Sequence, residues 1–279
     1  MIHTITRVSC IAILFLLTPV TKAQHVVDST RFTPAIEDNS YFIEEAYNQE
    51  DRVVQHINNA RISLLSSHDF TYSFTQEWPV FSQKHQLSYT IGFSALNSGS
   101  VFGINDVMLN YRYQLTGHDA YITLAPRISL ILPTGNAKND LGNGVFGYQF
   151  NLAASKRISN RFVCHANAGY TLLPNMETTG ADNVIYHHTY SIVNFGASTI
   201  WLMTYRTNLM MEVLYNILHE AGESSDMVTY GQAIISPGIR HAFDLKSLQI
   251  VPGIALPIQI QNNNTEFGIF FYLSFEHPF

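Results

Sequence analysis

The sequence predicts an all-β fold, an antiparallel barrel of about twelve strands that crosses a membrane. Three observations predict it. The first is the last strand, Phe267-Gly-Ile-Phe-Phe-Tyr-Leu-Ser-Phe-Glu-His-Pro-Phe279. Phe267, Ile269, Phe271, Leu273 and Phe275 share one parity, while Gly268, Ser274 and Glu276 fall on the other. Period-two alternation sends the two sets to opposite faces. An almost wholly large, aromatic face suits lipid, and as the edge of a soluble sandwich it would invite aggregation. The second is composition. Charged residues are 13% of the chain and aromatics 13%, so the charged share is about half the usual one. No apolar run after residue 23 reaches the length of a membrane helix. A barrel strand meets lipid only at every second residue, so low charge without long apolar runs is its signature. The third is a regular alternation of short and long connections.

The elements follow in order. Arg7 precedes an apolar run from Ile11 to Leu17, and Thr21-Lys-Ala23 supplies small residues. Residues 1–23 therefore read as a secretory signal peptide, cut after Ala23 to leave Gln24 first. Cys10 precedes the apolar core of that peptide, and Cys164 is the one cysteine after it, so the mature chain has no internal disulfide. Residues 24–52 read as a periplasmic lead. Within it, Asn39 or Ser40 could cap a short helix over 40–49, with Glu44 and Glu45 in its first turns.

From residue 53 to 279 the pattern is strand and turn. Strands are expected near 53–65, 68–78, 84–96, 104–116, 120–132, 145–157, 161–173, 187–203, 206–218, 229–241, 246–260 and 265–279. An even number is what single-chain bacterial barrels have. The faces are clearest in the middle. Val107, Leu109, Tyr111 and Tyr113 oppose Asp106, Asn110, Arg112 and Gln114, and Tyr148, Phe150 and Leu152 oppose Gln149, Asn151 and Arg157. The first strand alternates poorly.

Short connections lie at 79–83, 117–119, 159–160, 205 and 244–245. Longer or more polar ones lie at 97–103, 133–144, 174–186, 220–228 and 261–264. With the C-terminus periplasmic, every long connection falls outside the cell, as outer-membrane barrels require. The expected location is the bacterial outer membrane. Its lipid is one partner, and the assembly machinery that reads a terminal aromatic is another, through Phe279.

Ionisable groups on the polar parity should face the interior, because lipid penalises them. Asp106, Arg112, Arg127, Arg157, Glu212 and Arg240 are the pore-lining candidates, with Glu77 and His165 on the same parity. They either form a charged constriction, Arg112, Arg127 and Arg240 facing Asp106 and Glu212, or pair structurally across the barrel. Glu44, Glu45 and Tyr47 are candidates for a plug if the segment enters the barrel mouth. The alternative places it on the lower rim.

Several segments together resemble the outer-membrane proteins of the meta-pathway phenol-degradation (MetA) family. They are Gly103-Ile-Asn-Asp-Val-Met-Leu-Asn-Tyr-Arg-Tyr113, Ala125-Pro-Arg-Ile-Ser-Leu-Ile-Leu-Pro-Thr-Gly135, Gly147-Tyr-Gln-Phe-Asn-Leu-Ala-Ala-Ser-Lys156 and Ala168-Gly-Tyr-Thr171. Asn105 stands where that family usually has Gly. The resemblance spans roughly residues 50 to 279 and implies a transport barrel for small molecules, aromatic or apolar ones among them. It implies no catalytic residues.

Other chemistries lack their residues. Net charge is −6 and pI about 6.0, so no basic footprint for nucleic acid exists. His187 and His188 are adjacent in a strand and point to opposite faces, so they do not chelate one ion, and no cofactor or metal is expected. A barrel lipase needs a nucleophile within reach of a base. His188 and Ser191 have the wrong spacing, His165 has Asn167 but no Ser on its own face, and His56 has Asn58 but no nucleophile. The sequence thus predicts a non-enzyme: a channel for passive passage of small molecules, or alternatively a closed structural or surface-binding barrel without conductance.

Overall fold

The structure, a computed structural model, describes residues 36–37, 40–64, 68–117, 120–179, 184–221 and 226–279. The expected signal peptide and its cut after Ala23 lie outside the described residues. The described strands are β1 (Val53–Ser63), β2 (Phe70–Val80), β3 (Ser82–Leu96), β4 (Val101–Ile104), β5 (Val107–Tyr113), β6 (Thr123–Leu132), β7 (Gly147–Arg157), β8 (Phe162–Thr179), β9 (Ile185–Leu202), β10 (Thr207–Ala221), β11 (Met227–His241), β12 (Phe243–Leu245), β13 (Leu248–Ala255), β14 (Ile258–Gln261) and β15 (Asn264–Pro278).

These segments make twelve staves. β4 and β5 both pair with β3 and form one stave broken at Asn105-Asp106. β13 and β14 both pair with β11 and β15 and form another, broken at Leu256-Pro257. β12 is a short addition on β13. Neighbours pair antiparallel throughout, and β1 closes on β15 from Val53↔Pro278 to Ser63↔Gly268. Closure leaves no free edge for another chain to extend.

Alternation sorts the side chains as lipid demands. Leu109, Ile128, Phe150, Met211 and Phe271 are exposed on the outer surface, while Asn110, Arg112, Asn151, Glu212 and Ser274 are buried within. Strand β1 explains its own weak pattern. Asn58 shares the outward parity of Phe275 and Phe74, but its amide donates to the Leu273 carbonyl (3.2 Å) and accepts from the Tyr72 hydroxyl (2.7 Å). Neighbouring strands satisfy it, so the register holds without an apolar residue there.

The connections split by end. The end carrying Val53 and Pro278 has tight turns except between β5 and β6, where 114–122 intervene, and the opposite end carries the long 133–146 loop. Two long connections differ from expectation. Much of 174–186 is strand, because β8 runs to Thr179 and β9 starts at Ile185, with a bulge between Leu173 and Met176. The 261–264 connection is a tight hairpin, with Asn262 and Asn263 both at positive φ (48° and 65°), the conformation that Asn tolerates and a two-residue hairpin needs.

The expected helix over 40–49 does not form. That stretch is extended, and its backbone N–H groups are satisfied by strand side chains instead of by its own carbonyls. Helix-compatible spacing of polar and apolar residues carries no information about such external acceptors, and they outcompete the local ladder.

Candidate functional site

Residues 36–37 and 40–50 run inside the barrel. Ile36 packs against Val163, Ile200, Leu202 and Ala242 near the terminal end. The chain then rises to Tyr41–Glu44 and returns toward the terminal end, where the Asn48 amide donates to the Gln83 carbonyl (2.9 Å). Glu212 Oε1 accepts three consecutive backbone N–H groups, from Tyr41 (3.0 Å), Phe42 (2.9 Å) and Ile43 (3.2 Å). Further along, the N–H of Ala46 donates to Ser155 Oγ (2.7 Å), that of Asn48 to Gln114 (3.0 Å) and that of Gln49 to Gln86 (2.8 Å). Glu212, Ser155 and Gln86 are inward side chains of three different strands and Gln114 lies just past the end of β5, so the segment is held from several sides.

Two side chains key it into the wall. Tyr41 packs on Phe270 (ring centroids 5.4 Å) and Tyr272 (5.2 Å), and its hydroxyl donates to the Ile239 carbonyl (2.7 Å). Gly253 and Gly238 leave room for that ring, and Gly196 leaves room for Ile43. A methyl group at any of these positions would collide with the segment.

The tip carries the charge cluster. Glu44 accepts from Arg127 Nε (2.8 Å to one oxygen, 3.0 Å to the other), from Asn151 (2.6 Å) and from Arg112 Nη1 (3.4 Å). Arg112 is buried. It also donates to Asn48 Oδ1 (2.8 Å) and to the Glu45 and Tyr47 carbonyls (3.1 and 2.6 Å), and it lies 3.3 Å from the Glu45 carboxylate and 3.9 Å from Glu77. Burial raises the Glu44 carboxyl, but Arg127 and Arg112 outweigh that and hold it below the usual carboxylate range.

The other candidates are dispersed. Arg240 is buried and donates to the Ile36 carbonyl (3.1 Å). Arg157 pairs with Glu37 near the terminal end. Tyr47 sits edge-on to His165 at 6.0 Å. Asp106 is far from the arginines in role. It accepts the N–H of Gly135 (2.9 Å) and both the N–H and the amide of Asn143 (2.7 Å each) at the loop end. Beside it, Asn105 donates to the Leu141 carbonyl (3.1 Å), and Leu141 is buried against Gly103. Gly103 pairs with the inward Ser94, so the 133–146 loop folds over the inner side of that rim. The wall therefore does not set Asp106 against Arg112, Arg127 and Arg240. The break in the ladder at Asn105-Asp106 turns Asp106 to the loop.

Sequence reading along single strands missed three things. Phe270 and Tyr272 are inward and aromatic, within a strand whose outward face is aromatic too. The wall glycines are legible only once their occupants are known. Ser155 meets His165 across the β7–β8 pair, with Ser155 Oγ 2.7 Å from His165 Nδ1, a register that the tight 158–161 turn sets. This nucleophile and base are consumed by docking. His165 Nε2–H donates to the Glu37 carbonyl (2.9 Å), which leaves Nδ1 of the neutral ring to accept the Ser155 hydroxyl proton, while Ser155 Oγ accepts from Ala46. Both residues are buried beneath the segment, and the group that orients the imidazole belongs to the segment itself.

Between the tip and the β1–β7 wall lies an open cavity of about 360 Å³. Glu44, Glu45, Glu77, Arg112 and Arg127 line one part, and Ile57, Phe42, Met108 and Tyr272 another. Among the described residues, no group of three His, Cys, Asp or Glu side chains is placed to hold a metal.

No protein-family model and no curated protein matches the chain. Solved structures do. The COG4313 outer membrane channel from Pseudomonas putida F1 aligns with a TM-score of 0.58 at 12% identity, over 84% of this chain and 98% of that one. The NanC porin aligns with a TM-score of 0.53 at 8% identity, over 81% of this chain and all of that one (100%). At such identities the likeness is one of architecture, and the chain has the fold of the porin-like outer-membrane barrels.

Proposed function

We propose that the chain is an outer-membrane channel for passive passage of small molecules, and that residues 36–50 are its plug. The observation that carries this is the pairing of a docked segment with an open cavity beside it. The segment obstructs the terminal half of the barrel, and the cavity between Glu44 and the β1–β7 wall leaves space that a filled barrel lacks.

In this reading residues 1–23 export the chain, the terminal end faces the periplasm, and Phe279 is the assembly signal. Phe279 is exposed there, its N–H donating to the Arg52 carbonyl (3.0 Å). Arg112, Arg127, Glu44 and Glu45 bound the passage. Glu212, Arg240, Arg157 and Tyr47 hold the plug. The fold likeness to channels and the resemblance to the meta-pathway family support solutes that are small and aromatic or apolar. Phe42, Ile57 and Met108, which line the cavity, suit them. With its nucleophile capped, the Ser155–His165 pair supports a non-enzyme.

The test is single-channel current of the refolded mature chain in a planar bilayer. Discrete conductance steps support a water-filled passage. Silence from a folded barrel, unrelieved by loosening the segment, supports the closed structural barrel instead.

A further inference from the structure

Resting on the channel reading, we infer that the lumen selects by charge, admitting small organic cations such as arylalkylammonium ions over anions of the same size. Arg112 and Arg127 are the cavity's cations, and the carboxylates outnumber them: Glu44, Glu45 and Glu77 stand against two guanidinium groups. The excess continues toward the loop end. Glu220 and Glu266 occupy inward positions of β10 and β15, and Asp106 lies at that rim, against Arg61 on β1. Arg61 is already hydrogen-bonded to Gln259 (2.9 Å). With Asp106 taken up by the loop, five carboxylates among the described residues thus face three guanidinium groups along this half of the path, so the excess survives the loss of any one of them.

Two further features point the same way. Tyr41, Phe42 and Tyr272 are among the residues that line the cavity, and aromatic rings attract cations. Asn59 also lines it, and its buried Oδ1 has no hydrogen-bond partner among the described residues. That oxygen is an acceptor awaiting a donor, which an ammonium supplies and a carboxylate does not. Low-dielectric walls focus the field of unbalanced charge, and a ring of one sign sets preference in a narrow passage.

The experiment measures reversal potentials of the refolded mature chain in a potassium chloride gradient, then with benzylammonium against benzoate, two ions of matched size and opposite charge. The expected result is a several-fold preference for potassium over chloride and for benzylammonium over benzoate. The paired variant E220Q/E266Q should move both ratios toward unity. K156Q, on the outer face of β7 with its ammonium over the Tyr121 ring, should leave them unchanged. Equal permeabilities or an anion preference in the wild-type chain overturn the charge inference and leave the channel reading standing. A folded chain that stays silent even when Gly253→Val loosens the segment overturns both. If the paired variant does not fold, the wild-type ratios alone decide.

Discussion

Tyr41 occupies the space that a side chain at Gly253 would need. Its hydroxyl lies where a Cβ would stand, and its ring is clamped by Phe270 and Tyr272. A strand glycine weakens the sheet and gives nothing to the packing, so its presence on the inner face belongs with the ring it admits. Gly253→Val should expel Tyr41 at a cost of about 1–3 kcal/mol, the usual penalty of overpacking. The barrel itself, held by its ladders, should keep its heat-resistant migration in detergent gels. Single-channel conductance should rise. Unchanged conductance with a folded barrel would remove Tyr41 from the obstruction.

Glu212 is the strongest single anchor, because one oxygen serves three N–H groups. Glu212→Ala strands those donors, each worth roughly 1–3 kcal/mol where water does not replace the lost acceptor. Glu212→Gln keeps one oxygen acceptor and should retain more of the docking. Limited proteolysis reads this directly. Cleavage after Tyr41 and Phe42 by chymotrypsin should be fastest in the Ala variant, intermediate in the Gln variant and slow in the wild type.

Acid should loosen the segment at its tip. The docked Glu44 carboxyl titrates below its free value, so pairing stabilises the docked state wherever the free group is ionised. That stabilisation fades as pH falls through the docked value. Docking contributed by Glu44 should therefore be constant from about pH 7 to about pH 5 and decline only below the ordinary carboxylate range of about 4. Conductance recorded against pH checks the sign, and a Glu44→Gln chain should lose the acid response of this group.

Asp106 staples the 133–146 loop through three hydrogen bonds, to Gly135 and Asn143. Asp106→Ala should free the loop, and Lys138 at its tip offers a trypsin site. Cleavage after Lys138 should accelerate at least several-fold, with the barrel's melting transition little changed because the bonded groups lie at the rim. An unaltered cleavage rate would show that Asn105 and Leu141 hold the loop unaided.

The number of staves, their order and their faces are legible in the sequence, because each strand's alternation answers a local requirement: lipid on one side, polar groups on the other. The tight turns are legible for the same reason, since turn residues carry their own backbone preference. Strand β1 is the exception that shows the limit. Asn58 reads as an error in the pattern until Leu273 and Tyr72, far away in sequence or across a hairpin, supply its partners.

The sequence by itself also determined which charges turn inward, since no alternative to the lumen exists for them. Only the tertiary structure decided what they meet there. Arg112 and Arg127 look like the lining of a basic constriction until Glu44 and Glu45 arrive from a segment whose own spacing suggests a helix. Asp106 looks like their counter-charge until the loop claims it. Ser155 and His165 look unrelated until the β7–β8 register joins them. The physical reason is common to all of these. Parity is a property of one strand, whereas pairing depends on register, loop path and the fold of a segment that satisfies its backbone on other strands' side chains, and those are settled only when the barrel closes.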